Sequence, residues 1–321
     1  MACAKQMSKS TGANYMFVDN MADVTVALTE IRRHDLLAVD CKGHKLGGGR
    51  SGDLTIIVVA TPIQVFIFDV QKLQENVFDN GLRAILEDET KEKLMFDCRR
   101  DADNLWHQQK VQLSGVLDVQ LLEVMYRRRK VFEIEEGSRR CSRTGEVQLL
   151  NGIRKCIEVY VKDQTMVESK LRCQRQVIGD SHVWKTRPLS ENLKKYCCVD
   201  TSALFILYEK LKGKGKNKCR LRIASDRYAD TFRCLTKRVY GIYETHAFLP
   251  LDIIPEPGDA FEFPEATTKC IGCLRLFPVD EFSKNQLRNK HRYCRVCKKA
   301  ETYASTKPIS MSGFDKKLRN K

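Results

Sequence analysis

The chain has 321 residues, 42% of them hydrophobic, with a net charge of +15 and a pI near 9.2. That length holds one large domain and a small one with a real core, and the surplus of positive charge points to a polyanionic partner, nucleic acid before an anionic membrane surface. Residues 1–15 lack the apolar stretch of a secretion signal and no apolar run is long enough to cross a bilayer, so the reading excludes a membrane partner. Ten of the 14 cysteines are scattered through the first 234 residues, which suits reduced thiols in cytoplasm or nucleus.

Residues 1–15 are small and polar and read as a flexible terminus. Met16–Arg33 opens on a short apolar piece, and Asp19 or Asn20 caps an expected helix with Val24, Ala27, Leu28 and Ile31 on its apolar face. Leu36–Val70 carries three apolar runs, Leu36–Val39, Leu54–Ala60 and Val65–Val70, separated by Gly, Ser, Asp and Pro. Rich in Val and Ile, they read as three buried strands. Asp40 is expected to end the first of them, where an acid is either a turn residue or a metal ligand. The turn Gly47–Gly52 lacks the Gly-Lys-Ser/Thr ending of a phosphate loop and leads into a strand, so it reads as a hairpin connection.

Gln71–Thr90 reads as a helix interrupted at Asn80-Gly81, Lys93–Phe96 as a buried strand, Leu105–Lys110 as a helix and Val111–Val116 as a strand or turn. Asp118–Arg129 reads as a helix with Leu121, Leu122 and Met125 inward. The basic run Arg127–Lys130 opens a polar region to about Glu146, and it is either a solvated face or a phosphate contact through Arg127, Arg128 and Arg129. Leu149–Tyr160 looks helical, whereas 161–183 shows no clear periodicity and is assigned no structure. Ser190 caps a long amphipathic helix to Leu211, Lys212–Lys218 is its exposed exit loop, and Arg220–Val239 is a second, charged helix. Leu251–Glu265 turns to Pro and acid, the composition of a linker.

Acids stand at the margins of these elements: Asp40, Asp101 and Asp200. Two-metal nucleases need several carboxylates converging on cations about 3.5–4 Å apart. Tyr196 lies four residues before Asp200, a spacing that puts phenol and carboxylate on one helical face. Leu37-Ala38-Val39-Asp40, ahead of a strand pair ending in Phe68-Asp69-Val70, resembles the first motif of the 3′–5′ exonucleases related to RNase D. The run KLMFDCRRDADNLWHQQKVQLSGVLDVQLLE from Lys93 is similar to their second motif, and WKTRPLSENLKKYCCVD from Trp184 to their third, in its Tyr-x-x-x-Asp form.

This resemblance implies a ribonuclease-H-like α/β fold, a mixed sheet flanked by helices. It also implies metal-ligating acids at Asp40, Asp101 and Asp200, two Mg²⁺ or Mn²⁺ ions, and a water-orienting phenol at Tyr196. Asp97 and Asp103 are the other second-motif candidates. The chain departs from the pattern at one place: the family has Asp-x-Glu where this sequence has Asp40-Cys41-Lys42. A protonated ammonium does not ligate, and it reverses the local field where a dication should bind. The expected function is an exonuclease-like domain that binds single-stranded RNA or DNA, RNA favoured, with catalysis impaired by Lys42. The alternatives are a working metal-dependent exonuclease, and a protein-binding scaffold of an RNA pathway.

Cys270-x-x-Cys273 and Cys294-x-x-Cys297 are two knuckle pairs with 20 residues between them, the spacing of a four-thiolate structural zinc site. The intervening FPVDEFSKNQLRNKHRY is expected to supply a short apolar hairpin, and Cys294–Ala300 to start a helix. The segment is too small for a core of its own, so zinc must hold it together. With its Phe282–Arg288 run it resembles treble-clef fingers, including that of fungal RNA-silencing adaptors. Lys284, Arg288, Arg292 and Arg295 are candidate phosphate contacts, and a protein partner fits the finger equally. The expected organisation is a flexible 1–15, an exonuclease-like domain at 16–250, a linker at 251–265, the finger at 266–305 and a basic tail at 306–321.

Overall fold

The computed structural model describes residues 14–46, 50–135, 147–213, 216–236, 241–256 and 263–306, with the side chains at 129–135 and 216 outside that description. The chain divides into two compact units. Met1–Ser142, Asn151–Arg238 and Ile253–Phe261 form the first; Arg143–Leu150, Val239–Asp252 and Glu262–Lys321 form the second. Residues 239–250, expected in the exonuclease-like domain, therefore belong with the cysteine-bearing unit, because Phe248 and Tyr243 pack into its core.

The first unit is built on a six-stranded mixed sheet. Its strands are β1 (Tyr15–Val18), β2 (Leu36–His44), β3 (Asp53–Ala60), β4 (Val65–Asp69), β5 (Glu92–Met95) and β6 (Val116–Asp118), in the order β1-β4-β3-β2-β5-β6. β3 runs antiparallel to its neighbours β2 and β4, while β1 is parallel to β4 and β5 parallel to both β2 and β6. The apolar runs become the sheet because both faces are covered: Leu54–Ala60 is buried throughout, and each such Val or Ile contributes about 1.5–3 kcal/mol.

β2 does not end at Asp40. It continues to His44, with Asp40 opposite Val58 and Lys42 opposite Ile56. Beyond Val39 its residues still alternate between the two faces of the pleat, so Asp40 and Lys42 share one face and Cys41 takes the other. Past Lys42 the register shifts at Gly43, where a Cβ would stand 2.0 Å from the Asp53 carbonyl oxygen; only glycine fits.

Around the sheet lie α1 (Met21–Arg32), α2 (Arg99–Gln109), α3 (Val119–Glu135), α4 (Gln164–Gly179), α5 (Glu191–Leu211) and α6 (Lys216–Arg233). Asn20 caps α1, accepting from the Asp23 amide at 3.0 Å, and Val24, Ala27, Leu28 and Ile31 are buried as the periodicity requires. Ser190 caps α5, which packs across β2, β3, β4 and β5, while α6 packs on α2 and β6.

Three stretches differ from expectation. Gln71–Thr90 is broken after one turn at Val70–Leu73, where Gln74 turns to φ 54, and resumes as a helical piece from Phe78 to Glu87 that is interrupted at Gly81, φ 124, as the Asn80-Gly81 pair leads one to expect. Leu149 pairs with Phe248 in an antiparallel bridge, so helix begins only at Ile153. The unassigned 161–183 holds α4, capped by Asp163, with Val167, Lys170 and Cys173 buried.

In the second unit a two-residue hairpin, β7 (Thr268–Lys269) with β8 (Leu276–Phe277), brackets the first cysteine pair instead of lying between the pairs. The residues between the pairs form a turn at Val279–Glu281 and the short helix α7 (Lys284–Arg288), closed by a Ser283/Gln286 capping box. α8 (Arg295–Thr306) follows. Phe248, Phe277, Phe282, Val296 and Ala300 pack around the cysteines. Among the described residues no helix is long and apolar enough to cross a membrane.

Candidate functional site

Four elements of the first unit aim ionisable groups at one place. β2 presents Asp40 and Lys42, and the Lys42 ammonium lies 2.5 Å from Asp40 Oδ2 and 2.7 Å from Asp200 Oδ2. The contact with Asp200 is a hydrogen bond; that with Asp40 is an ion contact in which Asp40 Oδ2 has no aligned donor. α5 presents Asp200 and, one turn earlier, Tyr196. α4 presents Lys170, which donates to Asp200 Oδ1 and lies 3.3 Å from the Tyr196 hydroxyl. The Tyr196 ring lies against both ammoniums, 4.7 Å from Lys42 and 4.6 Å from Lys170 at its centroid. Asp101, in the first turn of α2, lies close enough for the charges of Asp40 and Lys42 to act on its carboxyl.

The protonation states follow from this arrangement. Burial pushes the Asp200 carboxyl up, but the two ammoniums outweigh it and hold Asp200 below the ordinary carboxylate range. Burial lifts Asp40, against the pull of Lys42. Burial and then the negative charge of Asp40 drive Asp101 well above that range. Burial alone would discharge Lys42 and Lys170, yet Asp200 and its neighbours keep both ammoniums raised above the ordinary lysine value. Asp40 and Asp200 thus face two ammoniums, with the Asp101 carboxyl pushed upward beside them.

The other acids of the second motif are engaged elsewhere. Asp97 forms a bidentate pair with Arg99 at 2.6 and 2.7 Å, whose guanidinium lies 4.6 Å from the Tyr228 ring centroid. Asp103 is fully buried and accepts from Arg50 at 3.1 and 3.0 Å. Arg50 also donates to the carbonyls of Phe232, Leu235 and Thr236, so the glycine-rich turn ties down the C-terminal end of α6. Sequence reasoning missed Lys170. Its one trace is a lysine set in the apolar row Val167–Lys170–Cys173.

The candidate phosphate contacts are dispersed. Arg127 is paired with buried Glu123 at 2.6 Å and Arg128 faces Glu256 at 3.6 Å, while the Arg129 side chain lies outside the described residues. In the second unit Lys284 and Arg288 are exposed on α7, Arg292 is half-buried, and Arg295 grips Glu281.

The four finger cysteines do converge: their sulfurs all lie within 4.8 Å of one another. The sulfurs of Cys270 and Cys297 are 3.7 Å apart and those of Cys273 and Cys294 are 4.0 Å apart. Tetrahedral zinc with Zn–S bonds of about 2.3 Å requires sulfur separations of about 3.8 Å, so this cluster can hold a zinc ion. The Cys294 amide donates to the Cys270 sulfur at 3.3 Å and the Cys297 amide to the Cys294 sulfur at 3.4 Å, donors suited to thiolates. Gly272 is required beside them, since a Cβ there would lie 2.9 Å from the Cys297 sulfur.

Comparison with known proteins shows the family and the fold. The 3′–5′ exonuclease family pattern matches residues 15–216. The piRNA biogenesis protein EXD1 of Homo sapiens is 30% identical over 209 residues, 64% of this chain and 38% of the relative; that of Mus musculus is 30% identical over 183 residues, 56% and 30%. The chain thus spans well under half the length of these relatives. Among solved structures, Trypanosoma brucei RNase D in complex with RNA U12 aligns at TM-score 0.60 and 21% identity, covering 89% of this chain and 91% of that one. Its GMP complex aligns at TM-score 0.61 and 19% identity, covering 86% and 85%. These likenesses show the fold, a mixed α/β fold of the RNase D kind. Through residues 15–216, the chain belongs to the 3′–5′ exonuclease family.

Proposed function

We propose that the first unit is a disarmed 3′–5′ exonuclease domain that binds single-stranded nucleic acid, RNA before DNA, without cleaving it. The observation that carries this reading is the Lys42 ammonium set between Asp40 and Asp200 at 2.5 and 2.7 Å. Divalent ions, were Asp40, Asp101 and Asp200 to hold them, would supply an activated water and offset the charge that builds on the phosphate. An ammonium brings one charge and no coordination site, so Asp40, Asp101 and Asp200 do not fit a pair of divalent ions here. Asp40 and Asp200 become the counter-ions of lysines.

Binding is supported by the charge of +15, by the RNA held in a solved neighbour of the same fold, and by relatives named for piRNA biogenesis. Phosphate contacts supply affinity of this kind, and salt weakens it. In the second unit we assign the thiolate cluster to structural zinc, with its four positions closed to substrate. Labelled RNAs with free and blocked 3′ ends, incubated with Mn²⁺, test the reading. Wild-type protein is expected to bind both in a salt-sensitive manner and to shorten neither. Trimming of the free end alone, abolished by Asp200→Asn, overturns it. Absence of salt-sensitive binding assigns the chain to protein scaffolding instead.

A further inference from the structure

Asp200 has two carboxylate oxygens and each meets a different ammonium, Lys42 at Oδ2 and Lys170 at Oδ1. Lys42 stands where the exonuclease pattern has its glutamate; Lys170 belongs to none of the three motifs. Its side chain is 5% exposed, and its helical neighbours Val167 and Cys173 are buried beside it. A lysine so enclosed cannot carry its ammonium out to water as a surface lysine does. The same ammonium lies 3.3 Å from the Tyr196 hydroxyl, so the phenol oxygen that would face a water accepts from Lys170 instead.

Resting on the reading that Lys42 disarms the cleft, we propose that Lys170 is a second and independent block to divalent-metal binding. It is a positioning residue that binds Asp200 and Tyr196 into a metal-free ion-pair core. Restoring the missing acid with Lys42→Glu releases Oδ2 of Asp200 but leaves Oδ1 and the phenol with Lys170. A cation entering that cleft still meets a fixed positive charge across a poorly screened interior. Both lysines must be changed before the three aspartates become metal ligands.

The test is Mn²⁺ affinity, read from the paramagnetic resonance of free Mn²⁺ on the full zinc-loaded chain. It compares wild type, Lys42→Glu, Lys170→Met and the double variant, each checked for folding by circular dichroism. Methionine keeps the unbranched stem in the apolar row and removes the charge. Wild type and Lys170→Met are expected to show no saturable binding, and the double variant to bind at least about tenfold more tightly than Lys42→Glu. Equal affinity of Lys42→Glu and the double variant, within about twofold, overturns the role of Lys170 and leaves Lys42 as the sole block. Tight Mn²⁺ binding by wild type, with trimming of free RNA ends, overturns the disarmed reading itself. If Lys170→Met does not fold, Lys170→Gln removes the charge while keeping a hydrogen-bond donor, and the same comparison decides.

Discussion

The acidic cleft and the cysteine centre are both clusters of metal-ligand side chains, and they solve their electrostatics in opposite ways. In the cleft, Asp40 and Asp200 are met by Lys42 and Lys170, so the fold carries its own cations. In the finger four sulfurs gather within 4.8 Å, and the donors turned toward them are backbone amides such as those of Cys294 and Cys297. Amides orient a thiolate without neutralising it. The lesson is that a ligand set speaks for a metal only when the charge balance around it is left open.

The largest effect that should separate the two is chelation. Removing zinc is expected to unfold the second unit, since a structural zinc site contributes on the order of 10 kcal/mol, while the first unit keeps its melting transition. Calorimetry with and without chelator checks this. A single transition that moves as a whole would mean that the two units do not respond separately.

The next effect comes from the cleft. Asp200→Ala strands the buried ammonium of Lys170 and leaves Lys42 with Asp40 alone, and removing one partner of a buried pair costs about 3–5 kcal/mol. The loss should fall on the first unit alone and be the same with or without Mg²⁺, as urea denaturation will show. Dependence of that loss on Mg²⁺ would reveal a metal already at work there.

A smaller effect sharpens the contrast from within the sheet. Asp118 is buried without a lysine, accepting amides from Cys98, Gln120 and Leu121, and burial lifts its carboxyl to about 6. The unfolded chain titrates near 3.9. Below about pH 4 both states hold the proton and the contribution is whole. Between about 4 and 6 only the folded state still binds it, so stability falls as pH rises through that window, by about 3 kcal/mol. Asp118→Asn should flatten this part of the pH–stability curve; an unchanged slope would place the titration elsewhere.

Much of this was legible in the residues and some was not, for identifiable reasons. The β-branched runs of β3 and β4, the Asn20 and Ser190 caps and the two cysteine knuckles are local signals, and each sits where such patterns place it. The i, i+4 spacing likewise put Tyr196 and Asp200 on one face of α5. The full length of β2 is not legible, because a strand lined by Asp40 and Lys42 looks like a turn until its partner β3 is known. α4 is hidden for the same kind of reason: Lys170 interrupts the apolar row of that helix, and only the distant Asp200 explains a buried lysine. Arg50 shows the limit most plainly, since its partners lie 53 and more than 180 residues away.

The path of the backbone adds a practical corollary. The chain passes between the two bodies at 142/143, 150/151, 238/239, 252/253 and 261/262. No single cut can therefore part them. A gene fragment starting at Cys270 would leave behind Phe248, which packs on Tyr303, and Asp252, which clasps Arg275 at 2.6 Å. Whoever wishes to handle the thiolate body alone must bring the aromatic stretch before it, and a nick by a protease would liberate neither partner.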